Sequence, residues 1–345
     1  MNPPTALQHQ ASSRPFEAAV AASLPRQGLW TMPVILAVSG GVDSVAMLHA
    51  VRRCLPDGLE RRLVVAHAEH DLRGDASADR EFVAELAGHL GVPFHWRRID
   101  VGHAAEGEGI EARARRLRYD FLRDTALDQG ARYVLLAHTA DDQAETILHR
   151  VLRGTGLSGL GGMRRARELC PGVSLLRPLL EMRRHEGMAY LEGLGLIWRD
   201  DATNADTRFS RNHLRHRVLP TCVEGPYPAA VESLVRLGRQ ASVVADALRS
   251  AADALLETHS TRRPDGTIEI QTTDLAGLDP HLVAEVFVAL WRRERWPQRD
   301  MTAAHYEALA SMVAATRTTQ NDSVVQLPSG VRATAVQSMM AIRGG

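Results

Sequence analysis

The chain has 345 residues, 45% of them hydrophobic and 24% charged, with 41 basic residues balanced by 41 acidic ones. That is the composition of an ordinary globular protein long enough for two domains, and not that of a disordered, fibrous or collagen-like chain. No apolar run is long enough to span a bilayer, the opening MNPPTALQHQASSRP lacks the order of a secretion signal, and Cys54, Cys170 and Cys222 are scattered, which argues for a reducing compartment and against a cysteine-built metal centre.

Residues 1–28 read as a disordered leader. From about Leu29 to Gly195 strands and helices alternate. The apolar, β-branched run Val34–Val38 predicts a buried strand, and Val45, Leu48, Val51 and Leu55 the helix after it. Leu63–Ala66 is a second strand, with a helix over Ser77–Leu90 that starts on a capping serine. Phe94–Ile99 is a third strand, then a glycine-rich turn and a helix over Ile110–Asp128; Tyr133–Ala137 is a fourth, with a helix over Thr139–Arg153. A last strand at Ser174–Arg177 and a helix over Arg183–Gly193 complete the series. Alternation of this kind predicts a doubly wound parallel α/β sheet whose ligands sit at the carboxyl ends of the strands. The first domain is placed at 29–222.

After Pro220 the pattern changes. Ala229–His259 reads as a long helix, followed by a short strand at Thr267–Ile270 and a helix ending before Pro297. Another helix covers Thr302–Ala315, and a hairpin turns at Pro328-Ser329-Gly330. A smaller, mostly helical α+β domain is therefore expected over 223–345.

The chemistry gathers at the strand ends. Between the first strand and its helix lies Ser39-Gly40-Gly41-Val42-Asp43-Ser44. Glycine lets the backbone approach an anion closely, and the N–H groups that open a helix point at it with the macrodipole behind them. The segment reads as a phosphate cradle, with neither the Walker order nor the dinucleotide fingerprint. The fourth strand ends in His138-Thr139-Ala140-Asp141-Asp142-Gln143-Ala144-Glu145. A Thr139 cap would place Asp141 and Asp142 in the first helical turn, where acids also simply favour the dipole. Three carboxylates beside a triphosphate need a cation between them, and Mg²⁺ prefers oxygen and phosphate ligands; Asp43, Asp141 and Asp142 are the candidate ligands. The second strand leads into His67-Ala68-Glu69-His70-Asp71-Leu72-Arg73, readable either as local hydrogen bonding or as a substrate contact. On the next helix Glu111, Arg115 and Tyr119 share one face, and the neighbouring arginines could clamp a phosphate or a carboxylate.

Every basic residue apart from histidine is arginine, so cationic contacts to phosphate must come from arginine, histidine or backbone amides. The segment Arg208–Arg217 carries Arg208, Arg211, Arg215 and Arg217 without an acid. It reads as a polyanion contact, with hydrogen bonding at the domain junction as the alternative.

The S-G-G-V-D-S segment resembles the PP-loop of ATP pyrophosphatases. Together with H-A-E-H-D-L-R-G, E-A-R-A-R-R-L-R-Y, H-T-A-D-D-Q-A-E-T, L-R-G-T-G-L-S-G-L-G-G-M and R-N-H-L-R-H-R, it resembles the tRNA(Ile)-lysidine synthase family over about Val34–Pro220. Glu69 and Asp71 depart from that pattern, where neutral residues are usual, and longer members carry a further C-terminal module. The resemblance implies ATP-dependent conversion of the wobble cytidine of the CAU anticodon of tRNA(Ile) to lysidine, with L-lysine as second substrate. It implies ATP contacts at Ser39, Gly40, Gly41, Val42, Asp43, Ser44, Ala66, His67 and His138, and catalytic roles for Asp43, Asp141 and Asp142. His70, Arg73, Glu111, Arg113, Arg115, Glu145, Arg208, Arg211 and Arg215 are the candidates for lysine or tRNA. It further implies a cytoplasmic enzyme, with a homodimer among the compatible assemblies and no membrane partner. A PP-loop tRNA cytidine thiolase and a non-catalytic tRNA-binding protein are the alternatives. The thiolase is expected to carry paired cysteines, which this chain lacks.

Overall fold

The structure is a computed structural model that describes residues 6–25, 28–70, 76–100, 109–199, 210–316 and 323–344. It divides into two compact units, residues 1–239 and 240–345. The division falls inside a helix, whereas the sequence reading set the boundary at 222.

The first unit contains strands β1 (Val34–Ala37), β2 (Leu63–His70), β3 (Phe94–Ile99), β4 (Tyr133–Leu135), β5 (Ala166–Cys170) and β6 (Val173–Leu176). Its helices are α1 (Ala6–Ser23), α2 (Val42–Cys54), α3 (Ala76–His89), α4 (Ile110–Asp128), α5 (Ala140–Leu152), α6 (Leu157–Leu160), α7 (Arg184–Gly193), α8 (Ser210–His213) and α9 (Leu219–Glu224). A π-helical turn, Leu214–Val218, joins the last two. The six strands lie in the order β3-β2-β1-β4-β6-β5. All pairings are parallel except the antiparallel edge β5–β6.

Alternation along β1 explains why both faces of the sheet are covered. Val34 and Leu36 enter a core with residues of α1, α2 and α7, while Ile35 enters a second with Phe121, Leu122 and Ala126 of α4. β1 pairs with β2 on one side and β4 on the other, so the strand order reverses at β1. A crevice opens at the carboxyl ends at such a switch point.

The leader expected over 1–28 is instead largely α1, with Phe16, Val20 and Leu24 buried. Their i, i+4, i+8 spacing makes one helical stripe. β2 runs four residues beyond its expected end, because Ala68, Glu69 and His70 stay in register with Arg97, Arg98 and Ile99. β5 was not expected at all. It is a charged, largely exposed edge strand, and its sequence has the polarity of a loop.

Helix α10 (Ala230–His259) starts in the first unit and ends in the second. In the first unit its Gly238 meets α5 so closely that an added Cβ would sit 2.4 Å from Ile147 Cδ1. The second unit adds α11 (Pro280–Glu294), α12 (Ala303–Ala315) and strands β7 (Ser260–Arg262), β8 (Ile268–Gln271), β9 (Ser323–Gln326), β10 (Arg332–Val336) and β11 (Met339–Arg343). These strands form an antiparallel sheet in the order β7-β8-β11-β10-β9. Its core centres on Phe287, Leu290 and Trp291, all fully buried. No described helix is long and apolar enough to cross a membrane.

A candidate active site at the switch point

The cradle follows β1 directly. Gly40 has φ +97°, a conformation an L side chain adopts only with strain. Gly41 caps α2 with extended backbone, leaving the first N–H groups of the helix unclaimed by a side chain. The two serines brace the loop. The Ser39 amide donates to Ser44 Oγ at 3.2 Å, and Ser44 Oγ donates to the Gly41 carbonyl at 2.9 Å. From outside, the Arg199 amide donates to the Gly40 carbonyl at 3.0 Å while its side chain pairs with Asp79.

His67, at the carboxyl half of β2, is 3% exposed and its Nδ1 lies 2.8 Å from the Val38 carbonyl. A carbonyl only accepts, so Nδ1 carries the proton and Nε2 keeps its lone pair. Burial above all lowers the ring's pKa and keeps it neutral. Ala66, one residue earlier, accepts from the Val38 amide at 3.0 Å. The β2 strand is thus fastened to the cradle by both residues.

Asp43 sits in the first turn of α2. Its Oδ1 is buried with no hydrogen-bond partner, and its Oδ2 lies 3.6 Å from Arg184 Nη1. Burial raises the carboxyl pKa to about 7, with Arg184 and Arg215 pulling down and Asp142 and Asp141 pushing up. A buried, unpartnered carboxylate oxygen beside a phosphate cradle is the donor a hard cation takes.

The other two aspartates are already engaged. Thr139 caps α5 through a reciprocal box, its amide donating to Asp142 Oδ2 at 2.9 Å. Asp142 Oδ1 accepts from Arg215 Nη2 at 2.7 Å, and Arg211 Nη2 lies 3.5 Å away. Glu145, 1% exposed, accepts from Arg215 Nε at 2.6 Å and Arg211 Nε at 3.1 Å. Asp141 accepts from Arg183 Nε at 3.1 Å and from the Arg184 amide at 2.8 Å. Burial alone would raise the Asp142 carboxyl, but Arg215, His138 and Arg211 hold it below the usual range. His138 goes the other way: burial, helped by Arg177, Arg118 and Arg211 against Asp142, lowers its pKa to about 3. Its Nδ1 accepts from Arg177 Nε at 3.2 Å, so the neutral ring carries its proton on Nε2.

The β1 and β4 tips therefore bring a phosphate cradle, a neutral imidazole donor and an acid–arginine network to one crevice. Residues 17–222 match the PP-loop domain family. The tRNA(Ile)-lysidine synthase of Chlorobaculum tepidum is 39% identical over 229 residues, which cover 66% of this chain and 67% of that protein. That of Rhodopirellula baltica is 34% identical over 314 residues, covering 81% and 79%. The chain belongs to the tRNA(Ile)-lysidine synthase family. The Thermus thermophilus synthase, 43% identical, is matched over 42% of its own length. Among solved structures, the U34-tRNA thiolase NcsA from Methanococcus maripaludis, with its [4Fe-4S] cluster, is similar at a TM-score of 0.55 and 16% identity, over 67% of this chain and 79% of that one. At that identity the likeness is one of fold.

Several expectations for a lysidine synthase change against this geometry. Asp43, Asp141 and Asp142 were candidates for Mg²⁺ or for orienting the reacting groups; Asp141 and Asp142 are engaged by arginines, a backbone amide or the Thr139 cap, and Asp43 alone of the three has a buried oxygen without a partner. Arg211 and Arg215 were expected to meet tRNA phosphate. Their guanidinium groups instead turn inward onto Glu145 and Asp142; four residues apart, the two share one helical face. Arg73 and Arg208 lie outside the described residues, as do the side chains of His70 and Glu111. Arg113 is partly buried with Nε unpartnered, and Arg115 is exposed, stacked 5.0 Å from the Tyr119 ring centre. The unusual Glu69 is buried and neutralised by Arg80 at 3.1 Å, which itself lies over Trp96. Sequence reading missed Arg183, Arg184 and Arg199. Each is remote in sequence from the acid or loop it serves, and only the fold brings them together.

Proposed function

We propose that this chain converts the wobble cytidine of a CAU-anticodon tRNA(Ile) to lysidine with ATP and L-lysine. The observation that carries the reading is the juxtaposition of the Ser39–Ser44 cradle and the His138–Glu145 acid network at neighbouring strand ends of a lysidine synthase family chain. In this reaction the cytosine O2 attacks the α-phosphorus of ATP; the O–P bond forms as the bond to pyrophosphate breaks. The lysine ε-amine then attacks ring carbon C2 and loses a proton, and AMP departs with the former O2. Adenylation turns a poor leaving group into a good one, so the protein's work is alignment and charge stabilisation.

The residues divide accordingly. The amides of Gly40 to Ser44 hold phosphate oxygens at the α2 N-terminus. Mg²⁺, when bound, supplies charge neutralisation to the phosphates, with Asp43 as its fitted protein ligand. His138, neutral and protonated on Nε2, offers a hydrogen bond without adding charge. His67 offers an acceptor at Nε2. Glu145 and Asp142 fix the Arg211 and Arg215 guanidinium groups in the site, and the lysine ε-amine attacks in its uncharged form. Arg113, partly buried, and Arg115, exposed, are candidate anion contacts. A reaction on tRNA with ATP and free lysine belongs in the cytoplasm.

The test is direct. The protein is incubated with ATP, Mg²⁺, labelled lysine and unmodified tRNA(Ile) transcript, and the RNA is digested to nucleosides. Label in lysidine is expected, with AMP and pyrophosphate in equal amounts. Pyrophosphate release without label in the RNA would reject the lysine step and favour another PP-loop chemistry.

A further inference from the structure

Linked to His138 through Arg177, four guanidinium groups gather around one tyrosine. The ring of Tyr119 on α4 has Arg115 Cζ at 5.0 Å, Arg118 Cζ at 5.7 Å and Arg167 Cζ, from β5, at 4.9 Å. Arg177, at the end of β6 and 3% exposed, joins them electrostatically and ties the group to the site through its 3.2 Å hydrogen bond to His138. Among the described residues no carboxylate pairs with any of the four. One polar atom within the group, Arg118 Nε, is buried without a hydrogen-bond partner. The Tyr119 hydroxyl faces Arg167 and Arg177, which act on it as hydrogen-bonding cations.

Like charges so close repel, and a buried donor without an acceptor loses the full cost of its desolvation. Both defects are removed by one oxyanion. We propose that Arg115, Arg118, Arg167 and Arg177 with Tyr119 form an oxyanion site that takes an RNA backbone phosphate flanking the nucleotide presented at His138. This rests on the reading of the chain as a tRNA-modifying enzyme and adds to it the contact that delivers the target base. An RNA phosphodiester fits better than the carboxylate of free lysine. Either anion carries one negative charge, so reach decides between them: the cluster extends from buried Arg177 to exposed Arg115 and Arg167. A ligand that must reach from solvent to the β4 tip is a polymer strand. Phosphate contacts of this kind fix register and orientation without reading sequence.

The test uses the full chain and two RNAs. One is the unmodified tRNA(Ile) transcript; the other is the same tRNA with neutral methylphosphonate linkages on either side of the target cytidine. Arg115→Gln and Arg167→Gln change exposed residues and should fold. Binding across a salt series is expected to weaken roughly 3–10-fold for each, with the log–log salt slope smaller by about one unit per lost contact. On the neutral-linkage tRNA the variants should lose little further affinity, because the phosphate they serve is already uncharged. Losses that multiply in full, or salt slopes equal to wild type in both variants, would overturn the site. A rise in the KM for lysine with tRNA binding unchanged would overturn it in favour of the amino-acid carboxylate. The two readings fail separately. Wild-type protein that makes no lysidine yet binds tRNA through these arginines sinks the lysidine reading and keeps the site.

Discussion

Asp43 is where function and stability conflict most sharply. Its carboxyl is raised from 3.8 to about 7, chiefly by burial. Between those values the folded protein holds a proton that the unfolded chain has released, so stability falls as pH rises through the window. Above about pH 7 the whole penalty is present unless a cation neutralises the group. Asp43→Asn should therefore raise stability at pH 8 without divalent cation, by on the order of 2 kcal/mol, and the melting temperature with it. That gain should vanish near pH 4, while pyrophosphate release is lost at all pH values. Thermal melts at the two pH values, with and without Mg²⁺, measure it; an equal gain at both would remove the carboxyl's charge as the cause. Arg215 makes the opposite case. It holds Glu145, whose side chain is 2% exposed, at 2.6 Å, and removing one partner of a buried pair leaves an uncompensated charge. Arg215→Ala should cost about 3 kcal/mol, with Glu145→Gln in the same chain recovering part of it. A melting temperature equal to wild type with a flatter tRNA salt slope would instead return Arg215 to the RNA contact that its sequence suggested.

At the scale of elements, α5 carries most of the site and its start is set by a single residue. Thr139 is 2% exposed and closes a reciprocal cap with Asp142. Thr139→Ala should lower stability by about 1 kcal/mol and lower kcat more than it raises the KM for ATP, because Asp142 loses the Thr139 Oγ1 donor at 3.2 Å and is held on that side by the backbone amide alone; Thr139→Ser should restore both. This cap, the cradle turn and the strand–helix alternation were legible in the sequence, since each rests on local spacing: apolar period, glycine position, threonine three residues before an acid. The partners of Asp141, Asp142 and Glu145 were not. Arg183 reaches Asp141 across 42 positions and Arg215 reaches Glu145 across 70, and charge in a sequence does not reveal which way a guanidinium turns. The elements missed have a different cause. β5 hides because an edge strand tolerates the polarity of a loop. α1 hides because its apolar residues come late, after a polar stretch with Pro15 inside the helix.

At the scale of the whole chain, two compact units with no core cluster in common imply two separable melting events joined through the α10 sequence. The first unit's cores lie on the two faces of the parallel sheet. The second is built on Phe287, Trp291 and the antiparallel sheet, with Trp296 edge-on to Trp291 at 4.9 Å. Ligands that bind only folded protein stabilise the unit that holds their site. ATP with Mg²⁺ should therefore raise the transition of the first unit and leave that of the second nearly unmoved. Phe287→Ala tests the division from the other side. Emptying that fully buried position should cost about 3–5 kcal/mol, lowering the transition reported by near-ultraviolet dichroism of the Trp291–Trp296 pair by several degrees. The ATP-dependent rise of the first transition should persist in the variant. Loss of that rise, or one cooperative transition that moves as a whole with both the ligand and the substitution, would show that the two units fold as one and that the continuity of α10 couples them.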